Sequence, residues 1–259
     1  MSTRAKKEFG QHFLADENIL GVIGRLAELD GSDVVLEIGP GRGVLTTYLA
    51  ERVSLVHAIE LDRSLEPGLR EALAGRTNVE LRIGDALTFD LFALEPAPTK
   101  LVANLPYNVA TPLVAESLDG LPSIGLWCVM VQREVADRFF AEPETKAYGA
   151  VSVLVQLAAE RTGFHPVSRN VFRPRPNVDS ALVAFRRRGA LPADYSHLKA
   201  VVGAAFAHRR KQLPNSLELA GLVSREQAAA ALARIGREPA TRAEALSPDE
   251  FVALANALG

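Results

Sequence analysis

Asp33-Val34-Val35-Leu36-Glu37-Ile38-Gly39-Pro40-Gly41-Arg42-Gly43 decides the fold class. The short run of β-branched and leucine residues reads as a strand over 33–38, and apolar positions over 43–52 read as a helix. A glycine cluster between a strand and a helix leaves backbone open to close approach by a ligand. The spacing is not that of a dinucleotide fingerprint, because Val44 stands at the required third glycine; no Gly-Lys-Ser/Thr follows, so it is not a P-loop either.

Outward from this loop the pattern alternates. Asp16 precedes a helical stripe of Ile19, Leu20, Ile23, Leu26 and Leu29. Strands are predicted over 55–60, 79–83, 101–103 and 124–131, with helices over 65–74 and after Asn108, where Pro112 suits a first turn. Alternating strands and helices require crossover connections, hence an α/β fold with a mainly parallel sheet covered on both faces. Residues 148–160 read as helical and 178–185 as a late, antiparallel strand. Gly189-Ala190-Leu191-Pro192-Ala193 breaks every period; beyond it, helices over 195–207, 224–235 and 248–257, joined at Pro214, Gly221, Gly236 and Pro239, make a small helical domain. The expected division is 1–188 and 189–259.

With 259 residues, 48% hydrophobic and 23% charged, the composition excludes disordered and collagen-like chains. The single cysteine, Cys128, excludes an internal disulfide or multi-cysteine metal site, and its apolar neighbours predict a buried, inert thiol. No signal-type apolar core follows Met1-Ser2-Thr3-Arg4-Ala5-Lys6-Lys7 and no apolar run reaches membrane-spanning length, so a cytoplasmic protein without membrane contact is expected. The net charge of −2 hides a segregation. Residues 161–211 carry 11 Lys or Arg against Asp179 and Asp194, a local +9, leaving −11 for the remainder. Local field, not total charge, draws in a polyanion.

Three strand ends converge on an adenosine-shaped ligand. Gly39 and Gly41 supply the close approach, Glu60 can accept hydrogen bonds from ribose hydroxyls, and Asp85 can accept one from an adenine amino group. These leave a nicotinamide dinucleotide or S-adenosylmethionine as the cofactor. Asn104-Leu105-Pro106-Tyr107, at the end of the next strand, favours the second. Pro106 biases Leu105 towards extended backbone, so the Asn104 side-chain oxygen and the Leu105 carbonyl can converge on one exocyclic amine while Tyr107 stacks on its base. Methyl transfer to such an amine needs alignment and electrostatic support; it calls for no metal and no covalent nucleophile.

The ordered motifs resemble the ribosomal RNA adenine N6,N6-dimethyltransferase family, in its small-subunit (16S-type) branch. The resemblance is carried by Gly10-Gln11-His12-Phe13-Leu14, residues 37–43, Ile59-Glu60-Leu61-Asp62, Gly84-Asp85-Ala86, residues 104–107, 132–136, 146–149 and 172–181, then Phe206, Arg209-Arg210-Lys211 and Asn215-Ser216-Leu217. It covers almost the whole chain. It implies a Rossmann-like class I S-adenosylmethionine-dependent methyltransferase domain followed by a helical domain that contributes to RNA binding. It implies that His12 and Leu14 line the cofactor site with Gly39, Glu60, Asp85 and Asn104, and that Phe172 stacks on the target adenine opposite Tyr107. The implied reaction is dimethylation of two adjacent adenosines near the 3′ end of small-subunit ribosomal RNA during ribosome maturation. The implied partners are that RNA and the assembling small subunit, with the enzyme acting as a monomer. Ala110 departs from the serine common at its position but leaves the acceptors in place. A large-subunit adenine methyltransferase and a nonenzymatic RNA-binding assembly factor are the competing readings.

Neutralising Arg209, Arg210 and Lys211 together is expected to weaken RNA association and to flatten its salt dependence by about 0.7–0.9 in log–log slope per lost phosphate contact. RNA affinity measured against salt concentration checks this; an unchanged slope removes the cluster from the footprint.

Overall fold

The computed structural model describes residues 12–14 and 16–259. Strands β1 (Phe13–Leu14), β2 (Val34–Ile38), β3 (Leu55–Glu60), β4 (Val79–Ile83), β5 (Lys100–Asn104), β6 (Leu126–Gln132), β7 (Ala159–Val167), β8 (Phe172–Arg173) and β9 (Ser180–Arg187) alternate with helices in the first two thirds of the chain. The helices there are α1 (Glu17–Leu26), α2 (Val44–Ala50), α3 (Glu66–Ala72), α4 (Ala110–Gly120), α5 (Arg133–Phe139) and α6 (Ala150–Ala158). Helices α7 (Tyr195–Ala207), α8 (Leu213–Leu219), α9 (Arg225–Arg234) and α10 (Pro248–Leu258) follow.

Contacts divide the chain into two compact units. The first runs to Ala136 and resumes over Glu160–Arg187; the second comprises Asp137–Ala159 and Arg188–Gly259. The chain thus crosses over after Arg187, while the second unit also draws in residues 137–159, which the expected 1–188 division assigned to the first. The physical reason lies in Tyr148. Its ring is fully buried, meets Phe206 edge-on at 5.9 Å, and its hydroxyl donates to the Leu246 carbonyl at 2.8 Å. Phe206 in turn packs on Phe251 at 5.7 Å, so these aromatics form the second unit's core. The same unit contains α8, where Pro214 sits in the first turn, a position that needs no amide hydrogen, and not at a joint between helices.

In the first unit a seven-stranded sheet has the order β4-β3-β2-β5-β6-β9-β7. Pairings among β4, β3, β2, β5 and β6 are parallel, and β9 runs antiparallel to β6 from Leu126↔Arg186 to Gln132↔Ser180. The sheet is therefore mainly parallel with the late antiparallel strand that the alternation over 178–185 indicated. Strands β2, β5 and β6 are buried on both faces, which explains their near-continuous apolar composition. Trp127 stacks on Phe185 at 5.3 Å and donates to the Ser117 hydroxyl at 2.8 Å, and Cys128 between the two layers is fully buried. Burial pushes the Cys128 thiol up to about 12, so it is inert at neutral pH.

Asp16 caps α1 by accepting from the Asn18 amide. Just before it, β1 pairs antiparallel with β8, Phe13 opposite Arg173 and Leu14 opposite Phe172, as a separate two-stranded ribbon. From β2 the chain proceeds to β3 on one side and the sheet continues through β5 on the other. The crevice beyond the carboxyl ends of β2 and β5 is the topological switch point where open α/β sheets bind ligands.

Candidate active site

A cavity of about 1030 Å³, including its open mouth, occupies that crevice. It is lined by strand ends in sequence order: Glu37 to Arg42 after β2, Glu60 and Leu61 after β3, Gly84 to Leu87 after β4, and Asn104 to Val109 after β5. His12, Phe13 and Leu14 close another side. His12, Leu14, Gly39, Gly41, Glu60, Asp85, Asn104, Leu105 and Tyr107, singled out in the sequence, are all brought together here.

The glycine loop is held open by its backbone. Gly39 and Gly41 have φ of +74° and +61°, a region that side chains rarely adopt, and a Cβ on Gly41 would sit 2.9 Å from the Phe13 ring. Glu60 fixes the loop from the neighbouring strand. Its Oε2 accepts from the Gly41 amide and its Oε1 from the Asp62 amide, both at 2.9 Å. Burial raises the Glu60 pKa, and these backbone donors partly oppose the shift by favouring the carboxylate. Each oxygen has a further lone pair, which is what two ribose hydroxyls would use. Asp85 is exposed and braces its own turn by accepting from the Leu87 amide at 3.0 Å. Leu61 and Leu87, 49% and 44% exposed, give the same end of the cavity apolar sides suited to a purine.

The tetrapeptide is held by three other segments. The Leu105 amide donates to the Met130 carbonyl at 3.0 Å. Asn104 Nδ2 donates to the His12 carbonyl at 3.0 Å, which orients the amide and leaves Oδ1 as its acceptor end. The Tyr107 hydroxyl lies 2.7 Å from the hydroxyl of buried Ser180, and burial raises the phenol's pKa, so it is neutral at physiological pH. The Tyr107 ring also lies 5.3 Å from the His12 ring.

Phe172 is the exception. It is fully buried in the apolar core with Leu14, Ile19 and Ile23, and it does not line the cavity. Its ring packs among these apolar side chains, so in this structure it offers no face to a base. Gly10 and Gln11 lie outside the described residues. The basic segment divides as well. Arg187 turns onto the carbonyls of Leu118, Leu121 and Ile124 and caps the end of α4, and Arg186 pairs with Glu28 at 2.6 Å. Arg209 lies 3.6 Å from Glu244, and Arg173, Arg175, Arg209, Arg210 and Lys211 are all exposed. Arg133 stacks its guanidinium over Phe164 at 4.7 Å. Ala110 begins α4 fully buried, a position that accepts a methyl without strain.

One group in the cavity was not singled out from the sequence. Glu37 is 1% exposed, and its Oε2 and Thr46 Oγ1 are buried with no hydrogen-bond partner among the described residues. Burial pushes the Glu37 carboxyl up to about 8, with the charge of Glu60 adding to the shift. Its place in the loop motif was visible, but its orphaned oxygen was not. Among the described residues no cluster of three or more His, Cys, Asp or Glu is arranged to hold a metal ion, and no helix is long and apolar enough to cross a membrane.

The chain is 51% identical over 251 residues to the ribosomal RNA small subunit methyltransferase A of Rubrobacter xylanophilus, covering 97% of this chain and 94% of that protein. Among solved structures, a dimethyladenosine transferase from Plasmodium falciparum superposes with a TM-score of 0.75 over 94% of this chain and 96% of that one, at 23% identity, which supports the fold. The 23S rRNA methyltransferase ErmE superposes with a TM-score of 0.66 at 30% identity, over 95% of this chain and 99% of that one. The model of the family described as ribosomal RNA adenine dimethylase matches residues 2–259. With the switch-point cavity, the glycine loop braced by Glu60 and Asn104-Leu105-Pro106-Tyr107 at the end of β5, the chain belongs to the ribosomal RNA adenine dimethylase family.

Proposed function

We propose that this chain is the S-adenosylmethionine-dependent enzyme that dimethylates N6 of two adjacent adenosines near the 3′ end of small-subunit (16S-type) ribosomal RNA during ribosome maturation. The observation that carries the chemistry is the orientation of Asn104. With Nδ2 committed to the His12 carbonyl, Oδ1 is the end available to a substrate N–H.

The residues present fit the cofactor. The orphaned Glu37 oxygen suits its ammonium group, the positive-φ backbone of Gly39 and Gly41 lines the cavity where close approach is needed, and Glu60 and Asp85 suit its ribose and adenine. His12 and Leu14 cover it from the N-terminal side. When bound, S-adenosylmethionine supplies a methyl group on a cationic sulfonium with a thioether leaving group. The protein's task is alignment. Asn104 Oδ1 and the Leu105 carbonyl accept the two N–H bonds of the adenine amine, which turns its lone pair out of conjugation with the ring and meets the positive charge that develops on nitrogen. Tyr107, tethered by Ser180, holds the base by its ring face. Phe172 can join it only by turning its ring out of the core.

Small-subunit RNA is favoured over large-subunit RNA because identity to the small-subunit methyltransferase is 51%, against 30% to the 23S enzyme at similar coverage. This reading includes a monomer acting in the cytoplasm on RNA and assembling subunits, with the exposed Arg173, Arg175, Arg210 and Lys211 contributing phosphate contacts.

Mapping of modified nucleotides after incubation with purified undermethylated small and large subunits tests the substrate. Dimethyladenosine at two adjacent small-subunit positions is expected, and modification confined to large-subunit RNA overturns the assignment. In the same assay Asn104→Ala is expected to lower single-turnover transfer at least 100-fold with RNA affinity changed less than about threefold, the loss of one transition-state hydrogen bond and of the alignment it sets. Equal transfer by the variant contradicts the acceptor role.

Glu37 generates a pH-dependent prediction. Its carboxyl is protonated in the folded protein up to about 8 but ionised above roughly 4.3 when unfolded, so the cofactor-free protein loses stability as pH rises through that window and no further above it. Glu37→Gln is therefore expected to raise the melting temperature of cofactor-free protein at pH 8.5 and to change it little at pH 4.5. It is also expected to weaken cofactor binding about tenfold or more by calorimetry. A variant less stable than wild type at pH 8.5, with undiminished cofactor affinity, refutes this role.

A further inference from the structure

We propose that His12 is a positioning residue, which acts on the reaction through Asn104 by tying the loop after β8 to the acceptor amide. This rests on the reading of Asn104 given above. His12 joins three segments that are far apart in sequence. Its Nδ1 lies 2.8 Å from the Pro174 carbonyl oxygen, its own carbonyl accepts from Asn104 Nδ2 at 3.0 Å, and its ring lies 5.3 Å from the Tyr107 ring with planes tilted by 34°. The following two residues form β1, paired with Phe172–Arg173, so the Pro174 contact extends that ribbon by one side-chain hydrogen bond.

The chemistry of the contact fixes its direction. A carbonyl oxygen can only accept, so Nδ1 carries the proton and donates. Two ribbon pairs are a short attachment, and the imidazole adds a side-chain tether to Pro174 at the residue whose carbonyl meets Asn104. The His12 carbonyl is the group that selects which end of the Asn104 amide meets the substrate. An amide without that partner can rotate by half a turn and present a donor where an acceptor is needed, which repels the substrate amine's hydrogens. Arg173 and Arg175 flank Pro174 and are exposed, so RNA contact at this loop is coupled mechanically to the orientation of Asn104.

Three variants separate this from a cofactor contact and from simple packing. His12→Ala removes ring and donor, His12→Phe keeps a ring against Tyr107 without the donor, and His12→Asn restores an N–H at the reach of Nδ1. Transfer is measured at saturating S-adenosylmethionine and RNA, with cofactor and RNA KM measured separately and folding checked by melting temperature. His12→Ala and His12→Phe are expected to lower kcat about 10- to 100-fold at saturating cofactor, over and above any rise in cofactor KM that the cavity position of His12 brings, with RNA KM within threefold of wild type, and His12→Asn to recover at least tenfold in kcat over His12→Ala. A His12→Phe variant with wild-type kcat, a His12→Asn variant no better than His12→Ala, or a loss confined to cofactor KM overturns the proposal. A wild-type protein that transfers no methyl group to adenine amines contradicts the proposed function itself, so the two failures are distinguishable.

Discussion

The carboxylate of Glu60 is the constraint on which the site depends. It ends one parallel strand and accepts from the amides of Gly41 on the neighbouring loop and Asp62 on its own, so the glycine loop and the carboxyl edge of the sheet are held as one piece. Because both donors are backbone groups, the Glu60 side chain is the only one that has to be ordered to make the two contacts. The positive φ of Gly39 and Gly41 then keeps the loop low enough for Phe13 to pack over it and for the cavity to reach the buried Glu37. Burying two carboxyl groups, with one oxygen of Glu37 unpartnered, costs folding free energy.

The opposite side of the cavity is built by a different device. Asn104 and Tyr107 are not held by their own strand alone. A carbonyl from His12 sets the amide, and a hydroxyl from Ser180 on the antiparallel strand β9 sets the phenol. The pairing of Gln132 with Ser180 brings that hydroxyl to the carboxyl end of β6, beside the tetrapeptide. The late antiparallel strand thus has a task in the site besides closing the sheet.

The sheet and the cavity were legible in the sequence because both depend on local pattern. Strands buried on two faces show as apolar runs, and a glycine cluster between strand and helix has few other uses. What was not legible depends on distant partners. The β1–β8 ribbon joins residues about 160 positions apart through two residues on each side, too short for any periodicity. Strand β7 contains Gly163 and Pro166 and exposes Glu160, Arg161 and Thr162, so it shows no alternating stripe. The recruitment of residues 137–159 into the helical unit follows from the contacts of Tyr148 with Phe206 and Leu246, which sequence order conceals. Phe172 shows the same limit at a single residue, since the motif names the aromatic but only the packing reveals that it is buried in the core.

The most direct test of the account is an experimental structure of the protein with a non-reactive S-adenosylmethionine analogue and an adenosine-containing RNA fragment. In that complex the adenine N6 is expected within hydrogen-bond reach of both Asn104 Oδ1 and the Leu105 carbonyl, its third side facing the sulfonium position and its ring against Tyr107. An N6 on the far side of the cofactor, or an Asn104 amide presenting Nδ2 to it, contradicts the account.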